Sequence, residues 1–425
     1  MKGLQLGMKM TKYTGRNSKE THRMNLSLIL RILFEQGPTS RLFIKKTMGL
    51  SQAAITLLTQ ELIEAGLIME TGIANFQDGA GRPSQNLRLV SQARFLIGVE
   101  LSWRTLKVGL FDLKVEPYKI VAEDIYPGTT DNQILTRIAE IIQQFYQEYN
   151  FTTSRVLGIG AGVAGIIDSP NGLIKFLPGF GWKDFPFAER LAELTGLPVV
   201  VNNNVQNMVL AEKWLGNGRK KDNLLLLHVG SGVGSGVFLW GRPFYGSVAG
   251  AGEIGHMVIN DEGPPCRCGR VGCLEALVAE PALCKRAREK GIAADPTISD
   301  LIQLALKGEP GAREIFSQAG RYLGIAIVNI LNIFGQMDVI LSGTIFKSGE
   351  IILEPLHSIL YSKNTIMTFD NKIEMTAFSG KLGIYGAAIL GVMEFFFNTN
   401  ALFWNEKNGP VSEINIKSID DTKED

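Results

Sequence analysis

The sequence contains little cysteine, with four residues in a chain of 425. So few thiols, three of them within eight residues, exclude a secreted scaffold held together by many disulfides. Long apolar runs are also missing, because the most apolar stretch, residues 224–240, is interrupted by glycines and polar residues. No basic segment followed by an apolar run marks a signal peptide. We therefore expect a protein of the reducing bacterial cytoplasm, with no membrane partner.

The charge is distributed unevenly along the chain. Residues 1–90 hold twelve Lys and Arg against six Asp and Glu, a net charge of +6, whereas the remainder holds 31 against 36, a net charge of −5. A basic module on a mildly acidic body favours an anionic partner such as nucleic acid. A basic tail that is merely solvated has the same composition. With 45% hydrophobic residues, the chain can bury the cores of two or three domains.

One histidine and three cysteines form a dense cluster of metal ligands, in the pattern H-x9-C-x-C-x4-C: His256, Cys266, Cys268 and Cys273. Cys3His is a standard tetrahedral set for structural zinc, and it leaves no position open for hydrolytic chemistry. Gly269 and Gly272 allow the loop to bend back on itself. The alternative is a set of ordinary thiols in a reduced interior. We expect one structural zinc per chain, with Cys284 as a separate core residue.

The N-terminal part has the pattern of a winged helix-turn-helix. Apolar residues at helical spacing predict helices over residues 24–36, 40–48 and 51–65, each followed by a glycine. Short strands are predicted at 67–70 and around 87–90. In such a module the third helix enters the major groove of DNA.

Polar and basic side chains on this module are candidate contacts to double-stranded operator DNA. The solvent face of the third helix carries small or amide side chains suited to base edges, and basic residues on the second helix and the wing suit phosphates. The alternative is a module that binds another protein. The candidate residues are Arg41, Lys45, Lys46, Ser51, Gln52, Ala53, Thr56, Gln60 and Arg82.

From residue 95 onward, hairpins and crossover helices alternate in two successive halves. This pattern fits a bilobal α/β domain of the actin-like ATPase type. We expect a basic tail over residues 1–20, the DNA-binding module over 21–90, the bilobal domain over 94–398 with its zinc loop at 253–275, and a polar C-terminal extension over 399–425.

Several motifs of the body resemble those of the ROK family of sugar kinases and sugar-responsive repressors. The signature lies in EIGH at 253–256 and CRCGRVGCLE at 266–275, and supporting matches lie at 197–204 and 324–332. The resemblance covers about residues 22–397. The N-terminal module, with Gly-Arg-Pro at 81–83, is similar to the repressor branch. The resemblance implies a ROK sugar-binding domain.

The same resemblance implies a set of monosaccharide ligands. Carboxylates, amides and the second nitrogen of a zinc-bound imidazole all suit vicinal hydroxyls. In the bland alternative, the two glutamates are surface or supporting carboxylates. The expected sugar ligands are Asn203, Asn204, Glu253, His256 and Glu275.

Two positions argue against a kinase. Family kinases have Asn-Asp where this chain has Asn203 and Asn204, and an amide cannot act as the base that deprotonates a hydroxyl. The first phosphate turn, Asp-x-Gly-Gly-Thr in the family, reads ELSWR at 100–104 here, so Glu100 stands at the aspartate, Trp103 at a glycine and Arg104 at the threonine. The second turn keeps its glycines as a vestigial phosphate loop: Gly230, Gly232, Gly234 and Gly236.

We therefore expect a transcriptional regulator, most simply a repressor of carbohydrate-utilisation genes, with no catalytic residues. The family points to xylose or glucose as the effector and to a homodimer or higher oligomer that matches a two-fold operator. Two alternatives are a ROK sugar kinase with a DNA-binding appendage and a structural zinc protein without a ligand.

Overall fold

A computed structural model describes residues 18–73, 85–102, 104–126, 128–177, 180–245, 252–362, 371–378 and 380–398. Its contacts divide the chain into two compact units, Met1–Ala93 with Phe395–Asp425, and Arg94–Glu394. The expected C-terminal extension over 399–425 lies outside the described residues. No helix among the described residues is long and apolar enough to cross a membrane.

The first unit consists of three helices followed by an antiparallel hairpin, as the sequence predicts. Side-chain caps set the helix starts, since the hydroxyls of Ser40 and Ser51 accept hydrogen bonds from the N–H groups of Phe43 and Ala54. The first helix begins six residues earlier than predicted. The elements are α1 (Ser18–Gln36), β1 (Thr39–Ser40), α2 (Arg41–Met48), α3 (Gln52–Glu64), β2 (Ile68–Ile73) and β3 (Gln85–Leu89), with strand order β1-β3-β2.

The C-terminal end of the described chain packs within this first unit. The ring of Phe397 meets the ring of Phe34 edge-on, with 5.5 Å between centroids. The carbonyl of Phe397 also accepts a hydrogen bond from the hydroxyl of Ser27. Both partners lie on α1, so Phe397 packs in the same unit as the first described helix.

The second unit contains two five-stranded sheets with the same topology. In each sheet a first strand (β4 or β12) pairs antiparallel with the next strand, which pairs with a third, and its other edge is extended by two parallel strands. The strands are β4 (Phe95–Leu101), β5 (Thr105–Asp112), β6 (Pro117–Asp124), β7 (Val156–Val163), β8 (Ile166–Asp168), β9 (Leu173–Leu177), β10 (Trp182–Phe185), β11 (Val199–Asn203), β12 (Leu224–Val229), β13 (Val233–Leu239), β14 (Arg242–Pro243), β15 (Asp338–Ser342) and β16 (Ile373–Met375).

Helices cover both sheets and bury two separate apolar cores, one for each lobe. They are α4 (Asp131–Glu148), α5 (Phe187–Thr195), α6 (Asn204–Trp214), α7 (Leu274–Val278), α8 (Glu280–Glu289), α9 (Ile298–Leu306), α10 (Pro310–Phe334), α11 (Glu350–Leu360) and α12 (Leu382–Gly391). In this unit the sequence did not predict β6, the small sheet β8–β10, β13, β14 and β16, or α7, α8, α9 and α11.

Glycines bring α6 and α12 against the sheets of the two lobes. A Cβ on Gly160 of β7 would lie 2.0 Å from the carbonyl oxygen of Ala387 in α12, and a Cβ on Gly386 would lie 2.2 Å from that of Asn207 in α6. A Cβ on Gly236 of β13 would lie 2.5 Å from the side chain of Val209. Only glycine allows backbones to approach this closely. The start of α6 is thereby fixed beside the strands of the second lobe.

Candidate functional site

The exposed face of α3 carries the polar side chains that the sequence assigns to base recognition. Gln52, Ala53, Thr56 and Gln60 are exposed, while Ile55, Leu58 and Leu62 are buried. Leu57 lies on the same face and is 67% exposed. Sequence reasoning missed it, because a leucine in an apolar helix is usually a core residue. An exposed leucine beside amides offers an apolar contact of the kind that reads the methyl group of thymine.

The basic residues predicted to contact phosphate differ in their partners and in their exposure to solvent. Arg41 donates a hydrogen bond to the buried hydroxyl of Thr59 at 3.0 Å and forms an ion pair with Glu70 at 2.7 Å. Arg41 thus ties α2 to α3 and β2, and its role as a phosphate contact stays a prediction. Lys46 is exposed and Lys45 half-exposed. The candidate Arg82 lies outside the described residues.

In the second unit, the predicted metal ligands converge. The ligand atoms of His256, Cys266, Cys268 and Cys273 all lie within 4.8 Å of one another. The Sγ of Cys266 lies 3.6 Å from Nδ1 of His256, and the Sγ atoms of Cys268 and Cys273 are also 3.6 Å apart. A tetrahedron with zinc–sulfur bonds of about 2.3 Å has edges of about 3.8 Å. The donor set therefore fits one zinc ion, and Nε2 of His256 remains available to a ligand.

The loop that carries these ligands is held by its own backbone. The N–H of Cys266 donates to the carbonyl of Arg270 at 2.7 Å, and Gly272 has a φ of 70°. A Cβ on Gly272 would lie 1.4 Å from the carbonyl oxygen of Asn260, so this position requires glycine, as the sequence indicated. Burial raises the pKa of Cys273 to about 12. A bound cation favours the thiolate, so metal binding by this loop releases protons.

The two candidate carboxylates lie beside the metal loop. Glu275, in the first turn of α7, is buried, accepts a hydrogen bond from the N–H of Val233 at 3.1 Å and pairs with Arg267. Burial raises the pKa of Glu253, an effect that the charge of His256 opposes and that of Glu275 reinforces. These three predicted sugar ligands therefore lie close enough to act on one another.

The amides at the start of α6 have different surroundings. The side-chain oxygen of Asn203 accepts hydrogen bonds from the N–H groups of Val205 and Gln206, and its nitrogen donates to the carbonyl of Gly165 at 3.0 Å. Asn203 therefore caps α6, and one N–H of its amide is left for a ligand. Asn204 is the first residue of the helix and is half-buried.

The four glycines predicted as one phosphate loop have two separate roles. Gly230 and Gly232 form the turn between β12 and β13, which the N–H of Gly230 closes by donating to the carbonyl of Gly232 at 2.9 Å. Gly234 and Gly236 lie within β13, and a Cβ on either would collide with valines of α6. These two glycines are explained by helix packing.

The turn between β4 and β5 is closed by the N–H of Ser102, which donates to the carbonyl of Thr105 at 2.9 Å, and by the side chains of the same two residues. The hydroxyl of Ser102 lies 2.7 Å from that of Thr105 and accepts a hydrogen bond from its N–H. Just before the turn, the buried Glu100 pairs with Lys107 at 3.0 Å, and Lys107 also donates to the carbonyl of Gly380. Trp103 lies outside the described residues.

A cavity of about 300 Å³ borders two of the predicted ligands. This volume is at the lower end of the range for small-molecule sites. Glu253 and His256 supply its polar side, and the remaining wall is largely apolar: Val237, Phe244, Ile254, Met257, Ile330, Ile333 and Phe334. The site thus combines a metal loop, the buried Glu275, the solvent-exposed Glu253 and a cavity beside Glu253 and His256.

The chain is similar to known transcriptional regulators and to a sugar kinase. The chain is 28% identical over 385 residues to the xylose repressor of Caldicellulosiruptor bescii, covering 88% of this chain and 96% of that protein. The crystal structure of a ROK family transcriptional regulator, a homologue of the E. coli MLC protein, aligns with a TM-score of 0.78 and 27% identity, covering 90% of this chain and 98% of that one. The ROK hexokinase of Thermus thermophilus aligns with a TM-score of 0.61 and 29% identity, covering 71% of this chain and 98% of its own. The ROK family model matches residues 96–393. The chain belongs to the ROK family.

Proposed function

We propose that this protein is a sugar-responsive DNA-binding regulator, most simply a repressor of carbohydrate-utilisation genes. The observation that carries the proposal is the extent of the similarity. The two regulators align over 88% and 90% of the chain, whereas the hexokinase aligns over 71%. The additional length includes the first unit, which a sugar kinase does not need.

The first unit acts as a winged helix-turn-helix. Its three helices and hairpin occur in the required order, and α3 presents Gln52, Thr56, Leu57 and Gln60 to solvent. Lys45 and Lys46 on α2 supply phosphate contacts. The first unit binds double-stranded operator DNA.

The second unit binds a monosaccharide of the xylose or glucose type. Glu253, His256 and Glu275 receive its hydroxyls, with Asn204 and the remaining N–H of Asn203 as further contacts. Zinc, when bound, holds the loop that carries His256 and precedes Glu275, so its role is structural. No chemical step depends on it.

No phosphoryl transfer accompanies this binding. An amide at Asn204 cannot accept the proton of an attacking hydroxyl. Glu100, at the position of the aspartate of the first phosphate turn, is engaged by Lys107 at 3.0 Å. The protein acts as a cytoplasmic homodimer or higher oligomer, so that two copies of α3 read two half-sites.

The DNA-binding part of the proposal is tested by selecting duplexes from a random-sequence pool with the wild-type protein. Gln60→Ala should weaken binding to the selected duplex by about 5–150-fold, the loss expected of a base contact. Gln143→Ala, an exposed change in α4 of the second unit, is the matched control and should have no effect. A wild type that selects no sequence, or a Gln60→Ala protein that binds like the wild type, contradicts this role for α3.

A further inference from the structure

Arg267 lies in the middle of the metal loop, between the ligands Cys266 and Cys268, and its guanidinium forms a fork on Glu275. Its Nε lies 2.8 Å from Oε1 of Glu275, and its Nη2 lies 3.0 Å from Oε2. Two parallel charge-assisted bonds fix the plane of the carboxylate as well as its charge. A metal held by Cys266 and Cys268 would fix the backbone of Arg267, from which the guanidinium extends.

The burial of the two partners differs sharply. The side chain of Glu275 is 9% exposed, whereas that of Arg267 is 60% exposed. An ion pair between two exposed side chains adds little to the folding free energy. A buried carboxylate has lost its hydration, and this loss costs free energy unless a hydrogen-bonded partner offsets it. Arg267 is this partner and approaches from the solvent side. The main effect of the ion pair is therefore to stabilise the charge of the buried Glu275.

The hydrogen bonds of Glu275 leave a defined acceptor position. A carboxylate has about four acceptor sites. On Oε2, the N–H of Val233 and Nη2 of Arg267 occupy both, and on Oε1, Nε of Arg267 occupies one. Among the described residues no further donor reaches Oε1, so one acceptor site of this oxygen remains. Arg267 and the N–H of Val233 thus fix the orientation of the carboxylate that carries this site.

Gly232 makes room for this arrangement. A Cβ at Gly232 would lie 2.7 Å from Oε2 of Glu275 and 3.1 Å from Nη2 of Arg267. The absence of a side chain in this turn is therefore explained by the ion pair, without any bound phosphate.

We propose that Arg267 is a positioning residue, through which the metal loop holds Glu275 ready for a sugar hydroxyl. The inference rests on the proposed sugar-binding function. Since lysine has one ammonium in place of a planar fork, Lys at this position can replace the charge but not the bidentate geometry.

The test compares Arg267→Ala, Arg267→Lys and the control Arg270→Ala, which removes the other arginine of the same loop. D-xylose and D-glucose affinities are measured by calorimetry, bound zinc by elemental analysis and folding by thermal unfolding. Arg267→Ala should keep the zinc and a cooperative unfolding transition, at a somewhat lower temperature because the buried Glu275 loses its partner, yet bind the better sugar about 10–100-fold more weakly, as loss of a supporting partner typically does. Arg267→Lys should recover part of the loss, and Arg270→Ala should match the wild type.

Distinct results overturn the inference. Wild-type sugar affinity in Arg267→Ala shows that the fork does not position Glu275, and tighter binding shows that Arg267 obstructs the site. Loss of zinc in parallel with loss of sugar binding shows that Arg267 only maintains the loop. A wild type that binds neither sugar overturns the proposed effector site itself, together with this inference.

Discussion

The two lobes of the ROK domain have turns at equivalent positions, and these turns differ in their hydrogen bonds. Residues 102–104 join β4 to β5, and residues 230–232 join β12 to β13, at the same place in the same topology. The first turn is closed by Ser102 and Thr105, next to the Glu100–Lys107 ion pair. The second is glycine-rich, and the N–H that follows it donates to Glu275.

This difference supports the proposed role of the fold in sugar recognition without phosphoryl transfer. Turns of backbone N–H groups form anion sites, and a nucleotide needs both lobes to hold its phosphates. Here one turn is engaged by its own side chains, and the other organises a carboxylate beside the metal loop. Substitutions in the metal loop and in the second turn should therefore impair sugar binding, whereas a restored base should not restore phosphoryl transfer.

The largest effect is expected from breaking the metal loop with Cys268→Ser. This change removes one of four ligands, so bound zinc should fall from about one equivalent per chain to nearly none. Sugar affinity should be lost with it, because His256 is a ligand and Glu275 lies two residues beyond Cys273. Elemental analysis and calorimetry on the same preparation measure both quantities.

Cys284→Ser is the matched control for that experiment. Cys284 lies in α8 and is not part of the metal cluster, so its replacement should leave zinc and sugar binding unchanged. Full zinc retention by the Cys268→Ser protein contradicts the ligand assignment.

An intermediate effect is expected from Gly232→Ala in the second turn. The added methyl group would lie 2.7 Å from Oε2 of Glu275, and the buried carboxylate has less freedom to move than the exposed Arg267. Zinc should be retained while sugar affinity falls by about tenfold, a cost of about 1.4 kcal/mol. Gly72→Ala, at a position with nothing within 4 Å of the new Cβ, controls for the change itself. If the Gly232→Ala protein binds sugar with wild-type affinity, the second turn does not contribute to the sugar site.

No effect is expected from Asn204→Asp. Aspartate restores a base where family kinases have one, but the first turn remains closed by Ser102 and the Glu100–Lys107 pair. Coupled ATP assays with D-xylose and D-glucose should detect no phosphorylation by either the wild type or the variant. The Thermus thermophilus ROK hexokinase is a positive control for the assay. Turnover of about 1–10³ per second by either form supports the kinase alternative.

The sequence predicted the helices of the first unit and the four clustered metal ligands, because local patterns determine both. Helical spacing and serine caps located α2 and α3 within a residue or two, and the four metal ligands do converge. The limits of long elements were less accurate, since α1 extends beyond its apolar stretch. Short helices and the small sheet β8–β10 were missed, because their packing partners are distant in sequence.

Side-chain roles that depend on long-range contacts could not be predicted. Arg41 was assigned only to DNA, yet it also binds Thr59 and Glu70, which lie on later elements. The amide of Asn203 was assigned only to sugar, yet it also caps a helix and binds the carbonyl of Gly165. The fork of Arg267 on Glu275 likewise becomes visible only when the loop is folded.

The most direct test of the central claim joins the two units in one measurement. The affinity of the wild-type protein for its selected duplex is determined by fluorescence anisotropy, with and without saturating D-xylose or D-glucose. Salt is held constant, because phosphate contacts make DNA affinity strongly salt-dependent. A sugar acts as an effector only if it binds the free and DNA-bound forms unequally. We predict that one of the two sugars changes operator affinity by at least about fivefold, the lower end of typical coupling between sites. Equal affinity at saturation with a sugar that demonstrably binds would contradict a sugar-responsive regulator.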